Sequence, residues 1–390
     1  MRRDLVSLRV ICKLEEHPNA DRLEIACIDG WKVVVGKWEF REGETILFFE
    51  ADSLIPVSKD FEFLRKYCYI NKAWLLGIMP NSEAFRIRTI KLRGVISQGL
   101  VAPLSGVFKS KVVASEENNI TLDEVFGVIK YSMPEKISGS IGRLVGVFPS
   151  FIPKTKQERL QNIHNAELES IYNSNETFEV TKKYDGSSIT IYSKICNQIS
   201  WLDKVLYSIS EFLGIQLPPQ YRYGVCSHNT ERDLSDANDT FSKAALDSGI
   251  LEGLAAYVDL EYDKTGKYGE YAVQAELCGP GIQKNRYEFT KPRVIIFDVY
   301  DITAQKYLLP EQRYEFIEGM LAANDYKYDY FRAIVEYDNI PLPTTDVNSL
   351  VSMGEFKLSS GYENEGLVWK SMTRDFSFKA ISRDYLLKED

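Results

Sequence analysis

The chain has 390 residues, 44% hydrophobic and 26% charged, which excludes a disordered polymer and leaves room for two domains with buried cores. Its net charge of −9 excludes a protein that coats nucleic acid by charge alone, yet residues 1–150 carry 21 Lys and Arg against 19 Asp and Glu, while residues 151–390 carry 26 against 37. Six dispersed cysteines without a C-x-x-C pair and three scattered histidines argue against zinc or a disulfide framework, and no apolar run nears a membrane span, so a soluble cytoplasmic or nuclear protein is expected, with no obligate protein partner.

The front of the chain reads as strands. Trp31 to Val35 is β-branched and aromatic, Thr45 to Phe49 follows a turn-like Arg41-Glu42-Gly43-Glu44, and Arg86 to Leu92 alternates basic and apolar residues before Gly94. Short strands at close spacing predict a small five-stranded OB-like β-barrel over residues 1–105. Arg86, Arg88, Lys91 and Arg93 fit either a solvated strand face or a rim that holds nucleic-acid phosphates. Residues 106–145 read as a linker region, with the polar run Ser115 to Asn119, breaks at Pro134 and Gly139, and one short helix around Leu122 to Val128.

A second unit, 146–390, is predicted as α+β with antiparallel sheets. Lys156 to Ile163 reads as a short helix or turn. Phe178 to Val180 and Ile189 to Tyr192 are strands flanking Lys183-Tyr184-Asp185-Gly186. An amphipathic helix spans 201–213, stopped by Pro218-Pro219. Strands recur at Tyr271 to Leu277, Val294 to Tyr300 and Leu367 to Lys370, with a helix from Glu311 to Asn324.

Lys183-x-Asp185-Gly186 alone also fits a solvated hairpin, because Asp-Gly is a common turn pair. Its weight comes from Glu276, Glu365 and Lys379 downstream. A lysine amine attacks phosphorus only when neutral, and its ordinary pKa is about 10.4. Carboxylates alone oppose loss of that proton, so Asp185, Glu276 and Glu365 call for a divalent cation held through water, which Mg²⁺ suits. Lys379 would then offset charge on the transferred phosphate. The layout is that of covalent nucleotidyl transfer, with Lys183 as the catalytic nucleophile.

Lys183-Tyr184-Asp185-Gly186-Ser187-Ser188 resembles the nucleotidyl-lysine motif of the covalent nucleotidyltransferases: DNA ligases, RNA ligases and mRNA capping enzymes. Ser227-His228-Asn229, Glu276-Leu277-Cys278-Gly279, Phe297-Asp298-Val299-Tyr300, Glu365-Gly366-Leu367-Val368 and Lys379 are similar to the following motifs, in order. Phe148 to Thr155 running into Glu158 to Asn162, Gly279 to Gln283 and Phe378 to Ser382 resemble RNA ligases with an OB domain in front. His17-Pro18-Asn19-Ala20-Asp21-Arg22-Leu23 looks like the opening of tRNA-binding OB modules.

The resemblance implies an ATP-dependent RNA ligase using Mg²⁺ or Mn²⁺. Through a lysyl-AMP intermediate and an adenylylated 5′ end it would join RNA 3′-OH and 5′-phosphate ends. It places Arg159, Lys182, Lys183, Asp185, Gly186, Ser188, Asn229, Glu276, Phe297, Glu365 and Lys379 around the nucleotide. Arg159 would bind the triphosphate, Phe297 would stack on adenine and Lys379 would contact the α-phosphate. From the residues alone Phe297 fits a core position better than an adenine platform, and Arg159 fits a surface charge. The chain departs from the family at Lys182, where an acidic residue is frequent, at His228, where arginine is common, and at Ser377, where a lysine often stands.

Two rivals remain. DNA ligases and capping guanylyltransferases usually carry the OB domain after the catalytic unit, and this sequence ends shortly after Lys379. A non-catalytic RNA-end-binding protein would tolerate Lys182, His228 and Ser377, but the carboxylates and both key lysines are all in place.

Overall fold

The computed structural model describes residues 4–72, 75, 78–131, 142–155, 157–196 and 219–388. The strand Thr45–Phe49 is the hub of the front unit. It pairs antiparallel with Val6–Val10 on one side and Leu100–Pro103 on the other. Successive side chains of a strand face opposite ways. Ile46 and Phe48 therefore enter a barrel core with Ile28, Trp31, Val33 and Val35, while Leu47 and Phe49 enter a second core with Phe61, Phe85 and Phe126.

Lys13–Glu16, Leu23–Ile28 and Trp31–Gly36 form a meander that completes the OB-like unit, with the hairpin of Thr89–Leu92 and Val95–Gln98. Ser97 Oγ accepts from the Val34 amide at 3.0 Å and ties the hairpin to the meander. The expected single strand from Arg86 to Leu92 is in fact two, Glu83–Arg86 and Thr89–Leu92, in different sheets. The chain changes partner at Ile87, whose backbone bonds to Asp52 and Ser53.

Within 106–145 the helix at Leu122–Phe126 appears where expected, and a longer helix, Gly106–Asn118, precedes it. Its polar surface reads as a loop in sequence, yet Val112 is buried on the second core beside Phe126 and Val128. Asp123 accepts from the Leu5 and Val6 amides at 3.0 and 2.8 Å, which pins this segment to the first strand. Pro134 and Gly139 lie outside the described residues, as does the expected 201–213 helix.

The second unit is α+β, with two largely antiparallel sheets. One contains Ser187–Ile195, Tyr221–Cys226, Tyr271–Cys278 and Arg293–Asp301. Its core packs against the helices Thr240–Asp247, Ile250–Thr265 and Pro310–Ala323. The other contains Glu158–Arg159, Thr177–Lys182, Val335–Pro341, Gly366–Ser371 and Ser377–Ile381, backed by the helices Asn165–Asn173 and Val347–Ser352. The turn or helix expected at 156–163 begins instead as Glu158–Arg159, paired in parallel with Phe378 and Lys379, and only then tightens at Leu160–Asn162. Among the described residues no helix is long and apolar enough to cross a membrane.

Candidate active site

Lys183 leaves the end of Thr177–Lys182 just before the chain crosses into the other sheet. Its amide donates to the Gly366 carbonyl at 2.9 Å, so the lysine and the Glu365 segment are zipped together. Lys183 Nζ lies 2.6 Å from Glu365 Oε1. Asn364, fully buried, donates to the Gly354 and Gly366 carbonyls at 3.1 and 2.9 Å and so positions Glu365. Glu276 stands opposite Ser188 in the strand register, and its Oε1 accepts from the Gly186 amide at 3.1 Å. The pocket that results is lined by Lys182, Lys183, Ser188, Glu276, Phe297 and Lys379.

The electrostatics follow from this crowding. Burial pulls Lys183 down, but Glu365, Glu276 and Asp185 outweigh it and hold the amine above its ordinary value. Burial, together with the neighbouring Glu365 and Asp185, pushes Glu276 up to about 8 against the pull of Lys183. Asp185 is held by Arg286, whose Nε is 2.5 Å from Oδ2, and its amide donates to Tyr287 Oη at 2.7 Å. The donor set is hard oxygen with excess negative charge, which fits Mg²⁺ or Mn²⁺. Among the described residues no three His, Cys, Asp or Glu side chains converge as a direct metal-ligand set.

Phe297 faces the pocket with Ile295, two residues before it on the strand Arg293–Asp301, while Val294 and Ile296 face the core. Gln274 pairs with Asp298 and Ala275 with Ile296, so Phe297 is skipped in the ladder. It lines the pocket with Ile295, Ala333 and Val368. Beneath it Lys370, buried, donates to the Phe297 carbonyl at 2.5 Å and pairs with Asp298 at 2.8 Å. Burial draws the Lys370 amine below its ordinary value, with Asp298 opposing. Lys370, Asn364, Arg286 and Tyr287 were missed in the sequence. Their signal was adjacency to the quoted motifs.

Arg159 and Asn229 do not line this pocket, whereas Lys182 does. Arg159 is buried at the contact between the two units, its Nη2 2.6 Å from Asp52 Oδ2 and its guanidinium 5.9 Å from the Trp31 ring centre. It neighbours Lys379 in register, while Thr155 and Gln157 line the pocket. Asn229 is exposed in a hairpin turn, where its Oδ1 accepts from Lys154 Nζ at 2.9 Å, and His228 lines the pocket instead. Lys182 pairs with Glu336 at 3.3 Å. Of the four barrel cations, Arg86 is half-buried, 3.9 Å from Asp52, with the Tyr131 ring centre 3.7 Å away, and Arg88 is also half-buried; Lys91 and Arg93 are exposed.

Gly186 admits no side chain. A Cβ there would lie 2.4 Å from the Leu277 carbonyl oxygen and 2.7 Å from Cys278 Sγ. Gly186→Ala is expected to cost about 1–3 kcal/mol of stability by overpacking. It should also displace Glu276, slowing nucleotidyl transfer at least tenfold; thermal melts and single-turnover labelling measure the two effects.

An OB-like barrel followed by paired antiparallel sheets, with a lysine and three carboxylates between them, defines a polynucleotide nucleotidyltransferase. A family model described as RNA ligase matches residues 176–381, more than half of the chain, and one described as an OB-fold domain matches 5–104; the chain belongs to the RNA ligase family. It is also similar to solved structures of an RNA ligase from Naegleria gruberi, at 28% identity. A variant of that enzyme with AMP and manganese gives a TM-score of 0.77 over 98% of both chains, as does one with ATP and manganese. The same enzyme with pyrophosphate gives 0.75 over 99% of this chain and 98% of that one. No curated protein matched by sequence.

Proposed function

We propose that this RNA ligase is ATP-dependent and seals RNA 3′-OH and 5′-phosphate ends through a lysyl-AMP intermediate. The observation that carries the reading is the Lys183 amine at 2.6 Å from Glu365, in a pocket that also holds Glu276, Phe297 and Lys379. Lys183 Nζ attacks the α-phosphorus of ATP. The N–P bond forms, the bond to the bridging oxygen breaks, and pyrophosphate leaves with the electron pair. AMP then passes to the RNA 5′-phosphate, and a 3′-hydroxyl attacks that phosphorus and expels AMP.

Asp185, Glu276 and Glu365 would hold a divalent cation through water, and its charge would favour neutral Lys183 and offset the phosphates. Phe297, on the same face of its strand as Ile295, stacks on adenine with Val368 beside it. Ser188 and Gly186 border the ribose side, and Lys379 faces the α-phosphate. Arg159 reaches the triphosphate only by leaving Asp52. The barrel of 1–105 holds RNA, the unit of 146–390 carries the chemistry, and 106–145 joins them.

The test is a sealing assay on a nicked RNA bearing 3′-OH and 5′-phosphate, with matched DNA and 5′-hydroxyl controls. The expected result is ATP- and Mg²⁺- or Mn²⁺-dependent joining of the RNA, with an AMP-capped 5′ end trapped when the 3′ end is deoxy-blocked. Absence of protein labelling by both ATP and GTP would sink the catalytic reading and leave an RNA-end-binding protein.

A further inference from the structure

Trp38 is 83% exposed, the most open of the large hydrophobic side chains described. Its backbone is left-handed, with φ 63°. Most other non-glycine residues with positive φ here are Asn, Asp or Ser. A bulky side chain in that region is a strained outlier, which the surrounding structure must impose. It does so with three clamps. Glu24 Oε1 accepts from the Trp38 amide at 2.8 Å, Glu39 Oε2 from the Gly36 amide at 2.9 Å, and the Arg22 carbonyl from the Lys37 amide at 3.0 Å. The ring buries little in return. Lys37 Nζ lies over it at 5.3 Å from the centroid, and most of the side chain stands in solvent.

The loop opening with His17 explains what stands beside this hairpin. His17 is buried, and its Nδ1 accepts from the Asn19 amide at 3.1 Å. Nε2 therefore carries the proton and donates to the Leu92 carbonyl at 3.1 Å. Asn19 Nδ2 donates to the Arg93 carbonyl at 3.0 Å. The loop is thus bolted at one end to the turn carrying Lys91 and Arg93, and at the other, through Arg22, to the Trp38 hairpin. Lys91, Arg93 and Arg22 are all exposed.

We propose that the Trp38 hairpin and the cations Arg22, Lys37, Lys91 and Arg93 form a site that receives an unpaired nucleotide of the RNA substrate, the base stacking on the exposed indole and the cations holding its phosphates. Splayed RNA bases are recognised by this combination of aromatic platform and basic surround. A protein partner calls for a contiguous apolar patch rather than one ring among cations. The carboxylates of Glu24 and Glu39 are turned to backbone amides of the hairpin and do not stand as its recognition groups. The proposal rests on the RNA-sealing reading but not on the chemistry of Lys183.

Trp38→Gly tests it in the full-length enzyme, because glycine takes φ 63° without strain and the fold is kept. Binding of a fluorescent RNA with an unpaired segment at its break is expected to weaken about tenfold or more. Trp38→Phe should stay near wild type, and AMP labelling of Lys183 should be unchanged in both variants. A fully paired nicked duplex should show a smaller loss. If Trp38→Gly binds and seals the unpaired RNA as wild type does, with normal labelling in both, the proposal is overturned while the adenylylation reading stands. Failure of the wild type to label would strike that reading instead.

Discussion

Lys183→Ala is expected to abolish transfer of label from ATP to the protein, a loss of at least about a thousandfold. The amine lines the pocket and lies 2.6 Å from Glu365, next to the backbone bond from Lys183 to Gly366. Lys183→Arg should be equally inactive, since guanidinium keeps its proton at any working pH. The wild-type rate should climb with pH through the neutral range, because Glu365, Glu276 and Asp185 hold the ammonium form and only its small neutral fraction attacks. Both variants should still join RNA whose 5′ end already carries AMP, for the last step needs no lysine nucleophile. Loss of that residual joining in a folded Lys183→Ala protein would mean that Lys183 acts beyond the first step.

The motif residues were legible because their chemistry demands particular side chains in a particular order. Lys183 and Glu365 are 182 positions apart, yet Lys183, Glu276, Glu365 and Lys379 each sit on or beside a strand of the two sheets. Phe297 was ambiguous, because a phenylalanine in an apolar run looks the same in a core and in a pocket. What decides the matter is what stands against that face of the strand, Ala333 and Val368 beside the pocket, and these lie far off in sequence. Only its motif neighbourhood marks Arg159 in the sequence, and its partner Asp52 lies 107 positions away in the other unit. Arg86 and Lys91 read as parts of one strand in sequence, but the chain switches sheets at Ile87. The helix Gly106–Asn118 buries only Val112 and Ser115, too little for its periodicity to stand out from a polar linker.

Glu276→Gln should move stability and activity in opposite directions. In the metal-free fold Glu276 is pushed up to about 8 by burial and by Glu365 and Asp185, whereas in the unfolded chain it titrates near the ordinary glutamate value. The folded state therefore holds a proton that the unfolded state has lost between those two pH values. Its contribution to stability is greatest below the unfolded pKa and falls as pH rises through the window up to about 8. Glutamine removes that dependence and can still accept from the Gly186 amide through its carbonyl oxygen. Metal-free Glu276→Gln is accordingly expected to melt about 2–5 °C above wild type at alkaline pH, and with no advantage in acid. Adenylylation should meanwhile fall by at least about a hundredfold, because one of the carboxylates that balance lysine, cation and phosphate is gone. Added Mg²⁺ or Mn²⁺ should then raise the Tm of wild type more than that of the variant, since binding to the folded state stabilises in proportion to affinity. Melts across pH with and without metal decide this. A variant that is less stable at alkaline pH, or that gains as much from metal as wild type does, would show that Glu276 holds the Gly186 turn rather than charge in the site.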